Sequence, residues 1–217
     1  MVKWLTKIEI VNSIIMRIVH KDNLRKFIYN APKRYELSQN LFELYECAKI
    51  INKAKPKNIL EIGSHFGGTF KVWCMCSQNN GKQVSISWHP SSSDCYTQYQ
   101  SEQKRSEAHD NIMSCGKNVY HIDADSHLKS TKNELTSILG DEKLDFIFID
   151  GDHTYEGVKK DYEMYYTLMK KGGIIGFHDL VDKKFGVYKL WNQIKNNRKQ
   201  RKIIDYGSQL GIGLLWV

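Results

Sequence analysis

Two stretches of the chain concentrate groups that can do chemistry. "FIFIDGDHTYEGV" (146–158) ends an apolar run on Asp150 and continues at once with Asp152 and His153. "IIGFHD" (174–179) ends a second apolar run on His178 and Asp179. Carboxylates and an imidazole at adjacent strand ends, about 5 Å apart in a sheet, can hold a divalent cation. The oxygen-rich set of Asp150, His178 and Asp179 suits magnesium or manganese, with water completing the shell. His153, on the loop just past Asp150, would reach a substrate hydroxyl. Imidazole titrates at about 6.5, so it can take that proton, and a hydroxyl beside a metal ion releases it more readily. The structural alternative is that both aspartates cap turns and both histidines are buried and satisfied.

For these groups to meet, the apolar runs must be neighbouring strands. Short apolar runs at 58–63, 83–88, 118–123, 144–150 and 174–179 alternate with segments of helical character. Such alternation builds a parallel sheet covered by helices on both faces, and continuous apolar strands are what a doubly buried sheet requires. In that architecture ligands bind beyond the carboxyl ends of the strands. Glu61, Gly63, Trp88, Asp123, Asp125, Asp150, His178 and Asp179 all fall at such ends. The helices are expected over 3–30, over 38–54 with Ser38 as N-cap, after the glycines at 67 and 68, and over 97–115 and 127–140. Two more are expected over 155–170, closed by Gly172-Gly173, and over 187–199. Two short strands near 202–206 and 211–217 finish the chain. Residues 1–37 read as a helical extension and 38–217 as the α/β domain.

Composition narrows the class. The 217 residues are 41% hydrophobic and 26% charged, enough for one sizeable globular domain. No run is long and apolar enough to span a membrane, and the first residues lack signal-peptide order, so cytoplasmic residence is the expectation. Five scattered cysteines do not form a disulfide framework. The net charge of +8 favours polyanions in a general way, yet most of it is dispersed lysine. The one dense run, "KNNRKQRK" (195–202), reads as a solvated helix end. Ile8, Val11, Ile14, Ile15 and Ile18 form an apolar stripe suited to core packing, to a second copy of the chain or to a membrane surface, with packing on the core or a second copy favoured, so a homodimer is compatible with the sequence.

"EIGSHFGGTF" (61–70) places glycines at 63, 67 and 68 between a strand and a helix. Glycine permits a sharp turn and close approach of a ligand to the main chain. The spacing matches neither the dinucleotide fingerprint nor a phosphate loop. An acid two residues before the first glycine, Glu61, suits a ligand with an amino group.

The segments "EIGSHFGGT", "FIFIDGDHTYEGVKKD", "GGIIGFHD" and "GVYKLW" together resemble class I S-adenosylmethionine-dependent methyltransferases. The resemblance is to the O-methyltransferases related to macrolide-sugar methyltransferases and the cephalosporin-hydroxylase group, from about Gln39 to the C-terminus. It implies a Rossmann-like, seven-stranded, mostly parallel sheet whose last two strands form a hairpin. It also implies that the methyl donor lies over Glu61, Gly63, Ser64, Gly67, Gly68 and Thr69. "DADS" (123–126) is similar to the segment that meets adenine, which assigns Asp125 and Ser126 to the donor. Asp150, His178 and Asp179 match metal-binding positions, and His153 matches the general base. The implied reaction is methyl transfer to a hydroxyl of a sugar or another small molecule.

One position departs from that family. The second strand ends "QVSISWHP", with Trp88 and His89 where an acid usually accepts from the ribose hydroxyls. Indole nitrogen only donates and cannot replace a carboxylate. Trp88 could stack on the adenine, or Asp94 could substitute from the next loop. Three other readings remain open: a non-catalytic member with impaired donor binding, an RNA methyltransferase, and an enzyme of this fold with a chemistry other than methyl transfer. The second lacks any recognisable RNA-binding module or stacking motif.

Overall fold

The computed structural model describes residues 23–31, 33–88 and 102–217. The apolar stripe of the first eighteen residues, His89 and Asp94 lie outside them.

Seven strands form one sheet: β1 (Ile59–Ile62), β2 (Gln83–Ile86), β3 (Val119–Ile122), β4 (Leu144–Ile149), β5 (Met169–Phe177), β6 (Gln200–Ile203) and β7 (Ile212–Trp216), in the order β3-β2-β1-β4-β5-β7-β6. The first five are parallel, and β7 runs antiparallel to both β5 and β6. Six helices with both ends described surround it: α1 (Leu41–Ala54), α2 (Gly68–Cys76), α3 (Glu102–Met113), α4 (Lys129–Leu139), α5 (Tyr155–Tyr166) and α6 (Val187–Ile194). The chain order reverses between β1 and β4. This is the switch point beyond whose carboxyl ends doubly wound sheets bind ligands.

Both faces of the sheet are core. On one, Phe146 and Phe148 of β4 pack with Leu44, Ile51, Phe70 and Trp73 of α1 and α2. The helical segment at 23–29 adds Leu24 and Ile28 to the same layer. On the other face, Ile147 and Ile149 pack with Leu135, Val158, Tyr165 and Trp191 of α4, α5 and α6. The period-2 alternation of strand side chains sends neighbouring residues of β4 into opposite layers.

Several boundaries differ from the sequence expectation for physical reasons. Asn40, not Ser38, caps α1: its side chain accepts from the Phe42 and Glu43 amides. Helix α5 stops at Tyr166 instead of 170. Met169, at helical spacing after Tyr165, instead opens β5 opposite Leu144. The next pair is Phe146 with Ile174, so β5 advances further than β4 and residues 170–173 bulge out. Gly172 sits in that bulge at φ +82°, and its amide bonds the Val217 carbonyl; the glycine pair bends a strand and does not close a helix. Helix α3 starts at Glu102, within the expected span. Helix α6 ends at Ile194, and part of the basic run "KNNRKQRK" forms the edge strand β6. Lysine and arginine on an edge strand discourage pairing with other chains.

Candidate active site

The ends of β4 and β5 lie side by side. Ile149 pairs with Phe177, and the His178 amide bonds the Ile149 carbonyl. Asp150 therefore faces His178 across the sheet, as the sequence reading required. Asp179 follows with φ +54°. The left-handed region is uncommon for a residue with a side chain, although aspartate is among those that tolerate it. Here it accompanies a buried carboxylate that meets both histidines.

The four side chains form one ion-pair set. His153 Nδ1 is 2.8 Å from Asp179 Oδ2, and its Nε2 is 3.4 Å from Asp150 Oδ1. His178 Nδ1 is 3.0 Å from Asp150 Oδ1 and 3.3 Å from Asp179 Oδ1. Burial would push both histidines down, but the hydrogen bonds and charges of Asp150 and Asp179 outweigh it and raise each to about 10. Burial would push the two carboxyls up, and the same histidines overcome it and hold both below the usual range. Two imidazoliums thus neutralise two carboxylates.

The loops around His153 fix its ring. Gly186 donates its amide to the His153 carbonyl, and Phe185 meets the imidazole edge-on at 5.0 Å. A side chain at Gly186 would strike the Tyr155 backbone, so only glycine lets the two loops approach. Asp152, beside them, is structural: its Oδ1 accepts from the Thr154 amide, and Thr154 caps α5.

The residues assigned to a methyl donor are more dispersed. Glu61 is fully buried; Oε1 accepts from the Trp73 indole, and Oε2 has no partner among the described residues. Burial raises its pKa well above the ordinary value, against the hydrogen bonds of Ser64 and Trp73. Ser64 accepts from Ser85. Gly63 has φ +87°, and a Cβ there would lie 2.1 Å from the Asp150 carbonyl oxygen. A Cβ on Gly68 would lie 2.5 Å from the Tyr35 carbonyl. The chain's own packing accounts for both glycines. Gly67 caps α2 with no side-chain bond, and Thr69 lies in the first turn. Trp88 is 57% exposed just beyond β2. Asp125 Oδ1 accepts from the His127 amide and Ser126 donates to Asp161, so both also organise their own turn.

Two features suit ligands. One ligand atom each of Asp150, His153 and Asp179 lie within 4.8 Å of one another, and Asp179 Oδ1 is a buried acceptor whose one contact, His178 Nδ1 at 3.3 Å, leaves it a further lone pair. This donor set can hold a divalent cation. It includes His153, while His178 is buried more deeply and bears on the same carboxylates. The unpartnered Glu61 Oε2 is an acceptor that suits an ammonium group. One site residue escaped the sequence reading: Gln39 donates Nε2 to Asp150 Oδ2 at 2.7 Å. No local pattern marks it, because its partner lies far along the chain.

The family model of the methyltransferase domain matches residues 60–180, which include most of β1, all of β4 and β5 and all four side chains of the ion-pair set. The chain belongs to this family. Solved methyltransferases share its fold. An O-methyltransferase of Bacillus cereus in complex with SAH superposes with a TM-score of 0.59 at 17% identity, covering 92% of this chain and 91% of that one. The O-methyltransferase TomG of Streptomyces achromogenes, involved in tomaymycin synthesis and solved with SAM, gives 0.60 at 13% identity over 91% and 89%. A TDP-rhamnose 3'-O-methyltransferase of calicheamicin biosynthesis gives 0.56 at 14% identity over 92% and 93%. Among curated proteins, an uncharacterized protein of Sinorhizobium fredii is 22% identical over 175 residues, 77% of this chain and 18% of that protein. One of Acanthamoeba polyphaga mimivirus is 32% identical over 123 residues, 57% of this chain and 51% of that protein. This methyltransferase-domain chain therefore covers only part of the length of either. Among the described residues, no helix is long and apolar enough to cross a membrane.

Proposed function

We propose that the chain is an S-adenosylmethionine-dependent O-methyltransferase that acts on a hydroxyl of a sugar or another small molecule, with a divalent cation at Asp150, His153 and Asp179. The observation that carries this reading is the convergence of those three side chains at the switch-point end of a methyltransferase sheet. The donor supplies an activated methyl group, and the cation supplies Lewis-acid polarisation of the hydroxyl. The chain's own residues do the rest. Glu61 Oε2 is placed for the donor's ammonium group, and the amide end of α2, with no side-chain cap, favours its carboxylate. Asp150 and Asp179 fix His153 between them. In the cation-free set His153 is an imidazolium and can only donate. To ligate the cation, or to take a proton from the acceptor, it must first lose its own, which the two carboxylate charges oppose and a bound cation would favour. Alignment of the two reactants is worth an effective concentration on the order of 10⁵ M or more.

One observation favours a non-catalytic member instead. The end of β2 carries an exposed Trp88 and no carboxylate among the described residues nearest it in sequence. Calorimetry with SAH, and manganese binding followed by electron paramagnetic resonance, decide between them. The catalytic reading expects SAH binding and manganese binding that Asp179→Asn abolishes. Absence of SAH binding, or manganese binding indifferent to Asp179→Asn, overturns it.

A further inference from the structure

Three residues at and just before the start of helix α1 anchor it to distant parts of the chain. Gln39 donates to Asp150 Oδ2 at 2.7 Å. Asn40 donates to Asp205 Oδ2 at 3.1 Å while capping the helix. Glu43 accepts from the Asp205 and Gly211 amides at 2.8 and 2.9 Å. The Asn40 and Glu43 bonds thus fix the backbone from which Gln39 reaches Asp150.

We propose that Gln39 is a positioning residue of the candidate cation site: its amide N–H holds one oxygen of Asp150 and leaves the other toward the site the ion would occupy, and its carbonyl oxygen would accept from an O–H group of a ligand bound there. This rests on the reading above that Asp150, His153 and Asp179 hold a divalent cation. Two observations support it. Asp150 divides its oxygens cleanly, Oδ2 to Gln39 and Oδ1 to the two histidines. A carboxylate whose second oxygen is pinned by a neutral donor keeps its charge and loses rotational freedom, which is how groups behind a metal's ligands tune affinity. At the other end of the same amide, Oε1 is buried and has no partner among the described residues. Flipping the amide would not help, because it would set a carbonyl against a carboxylate. A buried acceptor left open beside a cation site is satisfied when a ligand brings a hydroxyl or water proton to it.

The test is manganese titration of the donor-free protein, read by loss of the free-ion paramagnetic signal. Wild type is compared with Gln39→Ala, Gln39→Met and Asn40→Ala. Gln39→Met keeps the side-chain length and removes both polar atoms. Asn40→Ala weakens the same helix start without touching Asp150. We expect a loss of manganese affinity of about 10-fold or more in both Gln39 variants, with Asn40→Ala within about twofold of wild type while its melting temperature falls. Wild-type binding with unchanged affinity in the Gln39 variants overturns the role of Gln39 and leaves the cation reading standing. Equal losses in Asn40→Ala and the Gln39 variants overturn it too, since helix integrity would then be the cause. No binding to wild type overturns the cation reading and the Gln39 role with it.

Discussion

Glu43 is a fully buried carboxylate that carries the loop between β6 and β7. Each oxygen accepts one backbone amide of that loop, Oε1 from Asp205 and Oε2 from Gly211. Glu43→Gln keeps the shape and replaces one acceptor by a donor, so one of the two amides faces an NH2 group. A hydrogen bond to a charged group contributes roughly 1.5–3 kcal/mol, and a buried donor left unmatched costs about 1–3 kcal/mol. The buried charge is itself costly, and its removal returns part of that. The expected net loss is about 2–3 kcal/mol for Glu43→Gln and roughly 3–5 kcal/mol for Glu43→Ala, which strands both amides. Against a typical total of about 5–15 kcal/mol, the alanine variant approaches the unfolding threshold. Urea denaturation followed by circular dichroism measures this. With slopes of about 1–3 kcal/mol/M, the glutamine variant should move the midpoint down by about 1 M. A Glu43→Gln stability within about 0.5 kcal/mol of wild type would refute the reasoning, because it would mean that the loop does not depend on the two charged bonds.

The ion-pair set makes stability depend on pH in both directions. In the cation-free protein, the depressed carboxyls contribute above their ordinary value of 3.8 and lose that contribution as pH falls below it. The raised histidines contribute fully below 6.5 and lose it as pH climbs toward about 10. Urea midpoints should therefore peak between those limits and fall by pH 9, and His178→Ala should flatten the alkaline fall; equal midpoints at pH 5.5 and 9 contradict this. Gly63→Ala places a methyl group 2.1 Å from the Asp150 carbonyl in a left-handed backbone, so we expect a loss of several kcal/mol, about 3 or more, by the same denaturation assay. Trp88→Ala removes an exposed ring, so the melting temperature should hold while SAH affinity falls about 10-fold if the indole stacks on the adenine. An unchanged affinity by calorimetry assigns Trp88 no part in donor binding.

The sheet was legible because each parallel strand is a continuous apolar run, and the meeting of Asp150, His178 and Asp179 then followed from strand adjacency alone. What adjacency cannot supply is that His153 joins His178 between the carboxylates. That depends on the left-handed backbone at Asp179 and on the 182–186 loop packed against His153, and both are tertiary facts. Met169 misled for a related reason. Its spacing after Val158, Tyr162 and Tyr165 is helical, but the position it fills is a strand pair with Leu144, and burial there outweighs local periodicity. The glycines show the same division. A turn at 63–68 was readable, whereas its cause is an Asp150 carbonyl and a Tyr35 carbonyl that only the folded chain brings close. These contacts also tie the halves of the site together. Gly63 lets the β1 turn rest on the backbone of Asp150, and Gln39 holds the side chain of the same residue. A displacement of the 63–68 turn therefore bears directly on the one carboxylate that both histidines and Gln39 share, and at which the proposed cation would sit.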